Sequence, residues 1–111
     1  MVMSAESDAI GTVDVLLKAV ADPLRMQILK LLAREALCTS HLVEETGAKQ
    51  TNLSNHLKIL REAGLVDTEP CGRFTYYKLR PDALESLAGF LGDLAATARA
   101  TACADTKRSC P

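Results

Sequence analysis

The sequence has few large aromatic side chains and no long apolar run. Its 111 residues include two Phe, two Tyr and no Trp, and a chain this small with leucine-rich helical segments is expected to keep one apolar face for a second copy. It lacks the stretch of about 18 apolar residues that a membrane-spanning helix needs. The first residues, MVMSAESDAIG, carry acids where a signal peptide has basic residues, so we expect a cytoplasmic protein without a membrane partner.

Paired cysteines are also absent, because the four cysteines stand far apart in the sequence: Cys38, Cys71, Cys103 and Cys110. In a reducing cytosol they are expected to be thiols with metal-binding, redox or packing roles. A thiol reductase would need Cys-x-x-Cys, and a phosphatase-like reductase would need a cysteine opening a phosphate-binding loop. The sequence has neither pattern, so we expect no enzyme.

The charge is nearly balanced overall but unevenly distributed. The net charge is −1, yet residues 47–80 hold six basic and three acidic side chains. A local basic face supplies the attraction to phosphates that the whole-chain charge conceals. The hydrophobic content of 48% and charged content of 24% indicate one globular domain.

Apolar spacing predicts several amphipathic helices in the first half of the chain. Ile10, Val13, Leu17 and Val20 form a helical stripe within residues 8–21. Asp22-Pro23 is a typical helix start and predicts a second helix to about residue 34. Thr39 or Ser40 is expected to cap a short third helix that ends at Gly47, and a fourth helix is expected at about 50–63.

The second half predicts a hairpin and a last helix. The runs LVDTEP and FTYYKL, joined at residues 70–73, are typical of two strands. Residues 82–100 predict a helix with heptad-spaced apolar residues, which indicate either a dimer seam or an ordinary core face. The expected fold is therefore mainly α with a β-hairpin wing, a winged helix-turn-helix. We assign 1–7 to a disordered N-terminus, 8–100 to the domain and 101–111 to an irregular, cysteine-containing tail.

The helix predicted at 50–63 opens with polar residues that are mediocre helix formers. In a helix-turn-helix, the N-terminal residues of this second helix face base edges in the major groove. Amides pair with adenine, and hydroxyls serve as donor or acceptor. Leu53, Leu57 and Leu60 are expected to hold the helix to the core. The predicted DNA-binding residues of this polar face are Gln50, Thr51, Asn52, Ser54 and Asn55.

Four basic residues, Lys49, Lys58, Arg61 and Arg73, are expected to contact DNA phosphates. Arg73 would do so from the hairpin tip. His56 has two open roles, because it either contacts DNA or packs beside Leu57 with a satisfied ring.

Four segments, ADPLRMQILKLL, EALCTSHL, QTNLSNHLKILREAGLV and GRFTYYKL, together resemble the ArsR/SmtB family of bacterial metal-sensing repressors. The resemblance spans about residues 16–80. It implies a winged-helix homodimer, held by its first and last helices, that binds a palindromic operator of double-stranded DNA until a metal or metalloid releases it. The positions that match the family's DNA-reading helix are Gln50, Thr51, Ser54 and Asn55.

The family's metal-binding patterns are matched only in part. In the arsenic-sensing Cys-x-Cys pattern, Cys38 stands at the first cysteine, Ser40 replaces the second, and His41 stands where an Asp is usual. The family's zinc site on the last helix needs histidines and acids, and no histidine follows His56. A zinc sensor of that type is therefore disfavoured.

The resemblance, together with the four thiols, implies a repressor induced by As(III) or Sb(III), which favour three sulfur ligands. We expect Cys103 and Cys110 to be ligands because neither has an evident packing role, with Cys38 or Cys71 as the third. A continuous helix would hold residues 103 and 110 about 10 Å apart, so the tail must fold back or the ligands must come from two protomers. Two alternatives stay open, a redox sensor with a Cys103–Cys110 disulfide and a cadmium or lead sensor.

Overall fold

The computed structural model describes residues 12–104 and 107–110. In chain order, the elements are helix α1 (Val13–Val20), helix α2 (Pro23–Leu32), strand β1 (Leu37–Cys38), helix α3 (Thr39–Thr46), helix α4 (Gln50–Glu62), strand β2 (Val66–Cys71), strand β3 (Phe74–Leu79) and helix α5 (Pro81–Ala104). The strands form one antiparallel sheet in the order β1-β3-β2. This confirms the predicted mainly helical fold with a β-hairpin wing.

Residues with strong end-of-helix preferences define the starts and ends of the short helices. Asp22 caps α2, because its Oδ2 accepts the backbone N–H groups of Leu24 and Arg25 at 3.0 Å each, as predicted. Gly47 ends α3 with a φ of +73°, a conformation that glycine adopts without strain. The expectation that Thr39 or Ser40 caps α3 is wrong, since the capping residue is Cys38.

Helix α1 buries a different line of residues from the predicted stripe. Leu16 and Ala19 are buried, whereas Val13, Leu17 and Val20 are only partly covered. The reason is that α1 packs against both α2 and α5, so its most buried line lies between these two neighbours. The rest of the predicted helix, with Ile10, and the predicted disorder at 1–7 lie outside the described residues.

The core of the helix-turn-helix follows the predicted pattern. Leu53, Leu57 and Leu60 of α4 are at most 1% exposed, and they pack in one cluster with Leu42 of α3. Burial of these side chains holds α4 against the domain and leaves its opposite face in solvent. In the described part of the chain, no helix is long and apolar enough to cross a bilayer.

Strand β1 was not predicted. Its two residues pair with β3, with Leu37 opposite Tyr77 and Cys38 opposite Tyr76. A two-residue strand is too short for any periodic signal. The pairing attaches the wing directly to the residue that begins α3.

Helix α5 is longer than expected and leaves the core after Leu87. Ala83 and Leu87 are buried, while Leu91 and Leu94 are 48% and 54% exposed. The helix continues to Ala104, so the expectation of an irregular segment from residue 101 onward is wrong for residues 101–104. Residues 107–110 are non-helical and exposed.

Candidate nucleic-acid interface and thiol positions

The polar face of α4 lies in solvent along its whole first half. Five residues are exposed there, and they are the ones predicted to read DNA: Gln50, Thr51, Asn52, Ser54 and Asn55. Because the three buried leucines lie on the opposite side, the polar face is available at the surface. The structure thus gives α4 the division into a core face and a free face that a groove-reading helix requires.

The four predicted phosphate-binding cations are also exposed. Lys49 precedes α4, Lys58 and Arg61 follow along it, and Arg73 lies in the two-residue turn of the wing. Gly72 allows this tight turn with a φ of +62°. The turn brings Arg73 to the tip of the hairpin, where a side chain can reach DNA beside the groove that α4 would enter.

A polar groove of about 330 Å³ connects the wing with the helix-turn-helix. Gln50 and Arg73, which are 23 positions apart in the sequence, both line this groove. Sequence reasoning missed three further polar residues there, Thr39, Ser40 and Thr75. The β1–β3 pairing places Thr75 near Thr39 and Ser40, and no sequence signal marked that pairing.

His56 is separated from the polar face. Its side chain is 17% exposed, and its Nδ1 lies 3.0 Å from Nη1 of Arg25. His56 is thus packed with a ring nitrogen in hydrogen-bond contact, which agrees with the second of its two predicted roles, and its contact with DNA stays a prediction. Nearby, the pKa of Asp22 is lowered chiefly by the backbone N–H of Arg25, and the charge of Arg25 adds to the effect.

Cys38 is the one buried thiol among the four, and it has a histidine neighbour. Its Sγ lies 3.4 Å from Nδ1 of His41, and its backbone N–H donates to the same nitrogen at 3.2 Å. The ring of His41 in turn meets Tyr76 of the wing edge-on, with centroids 5.9 Å apart. Cys38 also lines the polar groove, so this thiol lies directly beside the candidate DNA surface.

The other three thiols, Cys71, Cys103 and Cys110, are exposed. Cys71 ends β2 at the wing, Cys103 lies in the last turn of α5, and Cys110 lies in the non-helical end. Across residues 12–104 and 107–110, no three Cys, His, Asp or Glu side chains are grouped closely enough to hold a metal ion. One protomer therefore does not bring the predicted thiol trio together in this conformation.

Known proteins resemble this chain in sequence and in fold. A model of bacterial regulatory proteins of the arsR family matches residues 22–68, from the start of α2 into the wing. An uncharacterized HTH-type transcriptional regulator of Methanocaldococcus jannaschii is 33% identical over 78 residues, which cover 69% of this chain and 88% of that protein. The chain belongs to the arsR family.

Two further matches have names that concern arsenical resistance. The arsenical resistance operon repressor of Bacillus subtilis is 38% identical over 71 residues, covering 63% of this chain and 68% of that protein. The crystal structure of a possible transcriptional regulator for arsenical resistance superposes with a TM-score of 0.68 at 30% identity, over 84% of this chain and 97% of that one. The chain spans about half the length of some other curated relatives. This arsR-family member is a DNA-binding transcription regulator and not an enzyme.

Proposed function

We propose that this arsR-family regulator is a homodimeric repressor that binds operator DNA and releases it when trivalent arsenic or antimony binds its cysteine thiolates. The observation that carries the proposal is the exposed polar face of α4 opposite three buried leucines. In this proposal, Gln50, Thr51, Ser54 and Asn55 contact base edges, with Asn52 beside them. Lys49, Lys58, Arg61 and Arg73 neutralise phosphates and position the protein without specifying sequence.

The exposed apolar residues of α5 support the dimer. Phe90, Leu91 and Leu94 are between 39% and 54% exposed, and they follow the buried Leu87 on the same helix. Covering them with a second copy would remove apolar surface from water. Helix α1 packs beside α5, so both helices can contribute to that interface. A dimer would present two copies of α4 to half-sites about 34 Å apart on one face of the DNA.

Thiolate chemistry supports trivalent arsenic or antimony as the inducer. As(III) and Sb(III) are thiophilic and take three sulfur ligands in a pyramid. Cys103 and Cys110 are exposed, and in this proposal a third thiol, either the exposed Cys71 or the buried Cys38, completes the set of ligands. Since one protomer does not hold a preformed trio, we expect the site to assemble when the metalloid binds. Weakening DNA binding tenfold needs a differential affinity of only about 1.4 kcal/mol.

Fluorescence anisotropy tests both parts of the proposal. Reduced protein is bound to a labelled duplex from upstream of its own gene, and arsenite, zinc and cadmium are then titrated separately. We expect arsenite at micromolar concentration to release the DNA while zinc does not. Release by cadmium alone, or by peroxide without an arsenite response, would instead identify a cadmium or redox sensor. Failure to bind DNA at low salt would overturn the repressor itself.

A further inference from the structure

Arg25 lies in α2 where three helices meet, and its guanidinium contacts the other two, α1 and α4. Its Nε donates to the carbonyl of Ala19 at 2.7 Å, and its Nη2 donates to the carbonyl of Lys18 at 3.2 Å. These carbonyls lie in the last turn of α1, and the carbonyl of Lys18 also accepts the backbone N–H of Ala21 at 3.3 Å. The remaining arm of the guanidinium reaches His56 of α4 at 3.0 Å.

The chemistry of this last contact fixes the state of the imidazole. Arginine has only donor groups and stays charged in proteins, so Nδ1 of His56 must be the acceptor. His56 therefore carries its proton on Nε2 when the contact is made. Asp22 stands on the same side, with Oδ2 4.0 Å from Nδ1 of His56, and the same carboxylate oxygen caps α2.

The contact is directional, whereas the other contacts of α4 with the core are not. Leu53, Leu57 and Leu60 attach α4 by apolar burial, which tolerates small rotations. Among the described residues, Arg25–His56 is the side-chain hydrogen bond that joins α4 to another helix. A hydrogen bond weakens steeply when its angle is lost, so this bond restricts both rotation and sliding of α4.

We propose that Arg25 and His56 are positioning residues that set the angle at which α4 meets the major groove. The inference rests on the proposed function, because it concerns how the same helix reads DNA. His56 is six residues from Gln50, a distance of about 9 Å along the helix. Bidentate contacts to base edges require close geometry, so a small rotation of α4 about the core would misplace Gln50 and Thr51 while the fold remained intact.

The test compares two duplexes and three variants by anisotropy. The probes are the duplex from upstream of the gene and a shuffled duplex of the same composition. His56→Leu removes the hydrogen-bond acceptor but keeps a side chain of similar size. Arg25→Lys keeps the positive charge but cannot make the three guanidinium contacts at once. His56→Asn is the matched control, because its Oδ1 can replace Nδ1 as acceptor. We expect His56→Leu and Arg25→Lys to lose roughly ten- to hundredfold affinity for the upstream duplex only, and His56→Asn to recover most of it.

Each other outcome would overturn the inference in a recognisable way. Equal losses on both duplexes, with a salt slope reduced by about one, would mean that Arg25 contacts a phosphate directly. Full affinity in a folded His56→Leu protein would mean that the pair has no positioning role. If His56→Leu does not fold, full affinity in Arg25→Lys would show the same. If the wild-type protein binds neither duplex, the proposed function fails and the inference fails with it.

Discussion

The Nδ1 atom of His41 lies 3.4 Å from Sγ of Cys38 and accepts the backbone N–H of that cysteine at 3.2 Å. His41 thereby takes the place of the Glu or Gln that completes a capping box three residues after the cap. Cys38 also pairs with Tyr76 across the sheet. The buried thiol is thus held by a helix start on one side and by the wing on the other.

Replacing His41 should weaken the start of α3. His41→Ala removes the acceptor for the N–H of Cys38, and a lost cap of this kind lowers the free energy of unfolding by about 1 kcal/mol. Urea denaturation at fixed protein concentration measures the change, with Glu44→Ala on the exposed face of α3 as the control. A His41→Ala protein as stable as the wild type would show that the cap contributes nothing.

Truncating Leu57 should destabilise the domain strongly. Leu57 is 1% exposed, and Leu57→Ala is expected to cost about 2–5 kcal/mol through lost burial and the cavity that remains. The same denaturation experiment on Asn55→Ala, two residues away and exposed, should shift stability by less than about 0.5 kcal/mol. Similar losses in both variants would contradict the assignment of the two faces of α4.

Removing Arg73 should weaken DNA binding without changing sequence preference. If Arg73 contacts one phosphate from the wing tip, Arg73→Ala should lower the slope of log affinity against log salt by about one unit. Gln50→Ala should instead reduce the preference for the upstream duplex over a shuffled one. Anisotropy at several salt concentrations separates these effects. An unchanged slope in Arg73→Ala would remove the wing tip from the interface.

The cysteine variants should show which thiols bind the metalloid and which do not. In the double variant Cys103→Ser with Cys110→Ser, DNA binding should persist while release by arsenite is lost, because two of three sulfur ligands are gone. Cys38→Ser and Cys71→Ser, tested singly, should show which of them supplies the third. Normal release from the double variant would contradict a site that includes the end of the chain.

Stability should fall in acid because of two aspartates. The pKa of Asp22 is lowered chiefly by the backbone N–H of Arg25, and the pKa of Asp82 chiefly by the side-chain hydrogen bond from Arg80. A lowered carboxyl pKa stabilises the fold above the unfolded-state value of about 3.9, and this contribution is lost as pH falls through the lower folded-state value. Urea denaturation between neutral pH and pH 3 should therefore show a decline below about pH 4.

Asp22→Asn keeps a capping side chain but removes the charge, so it should make that decline shallower. Asp82→Asn should have a similar effect, because it removes the titrating carboxylate that accepts from Arg80. An acid decline of unchanged steepness in the double variant would show that other groups cause it.

The helix-turn-helix and the hairpin could be predicted because their signals are local. Asp22-Pro23, Gly47 and the spacing of Leu53, Leu57 and Leu60 each depend on a few neighbouring residues. Strand β1 could not be predicted, because its two residues acquire strand structure only from β3, which lies nearly 40 positions later. The residues that α1 buries could not be predicted either, since they depend on its packing against both α2 and α5.

The site was predictable to a similar extent. The exposed polar face of α4 follows from unusual residue types at helical spacing, whereas the contacts of His56 and Cys38 depend on tertiary neighbours. The continuation of α5 through Cys103 was missed because polar and small residues there gave no apolar stripe, although alanine strongly favours helix.

The pairing of β1 with β3 has a consequence for local opening. Amide protons in a small sheet exchange with solvent when the strands separate, and strands that share a ladder open together. Because Cys38 and Tyr76 are directly paired, separating the wing from the domain also removes the residue that begins α3. We therefore expect the amide protons of the wing and of the start of the helix-turn-helix to exchange as one cooperative unit. A change that opens either segment should then open both.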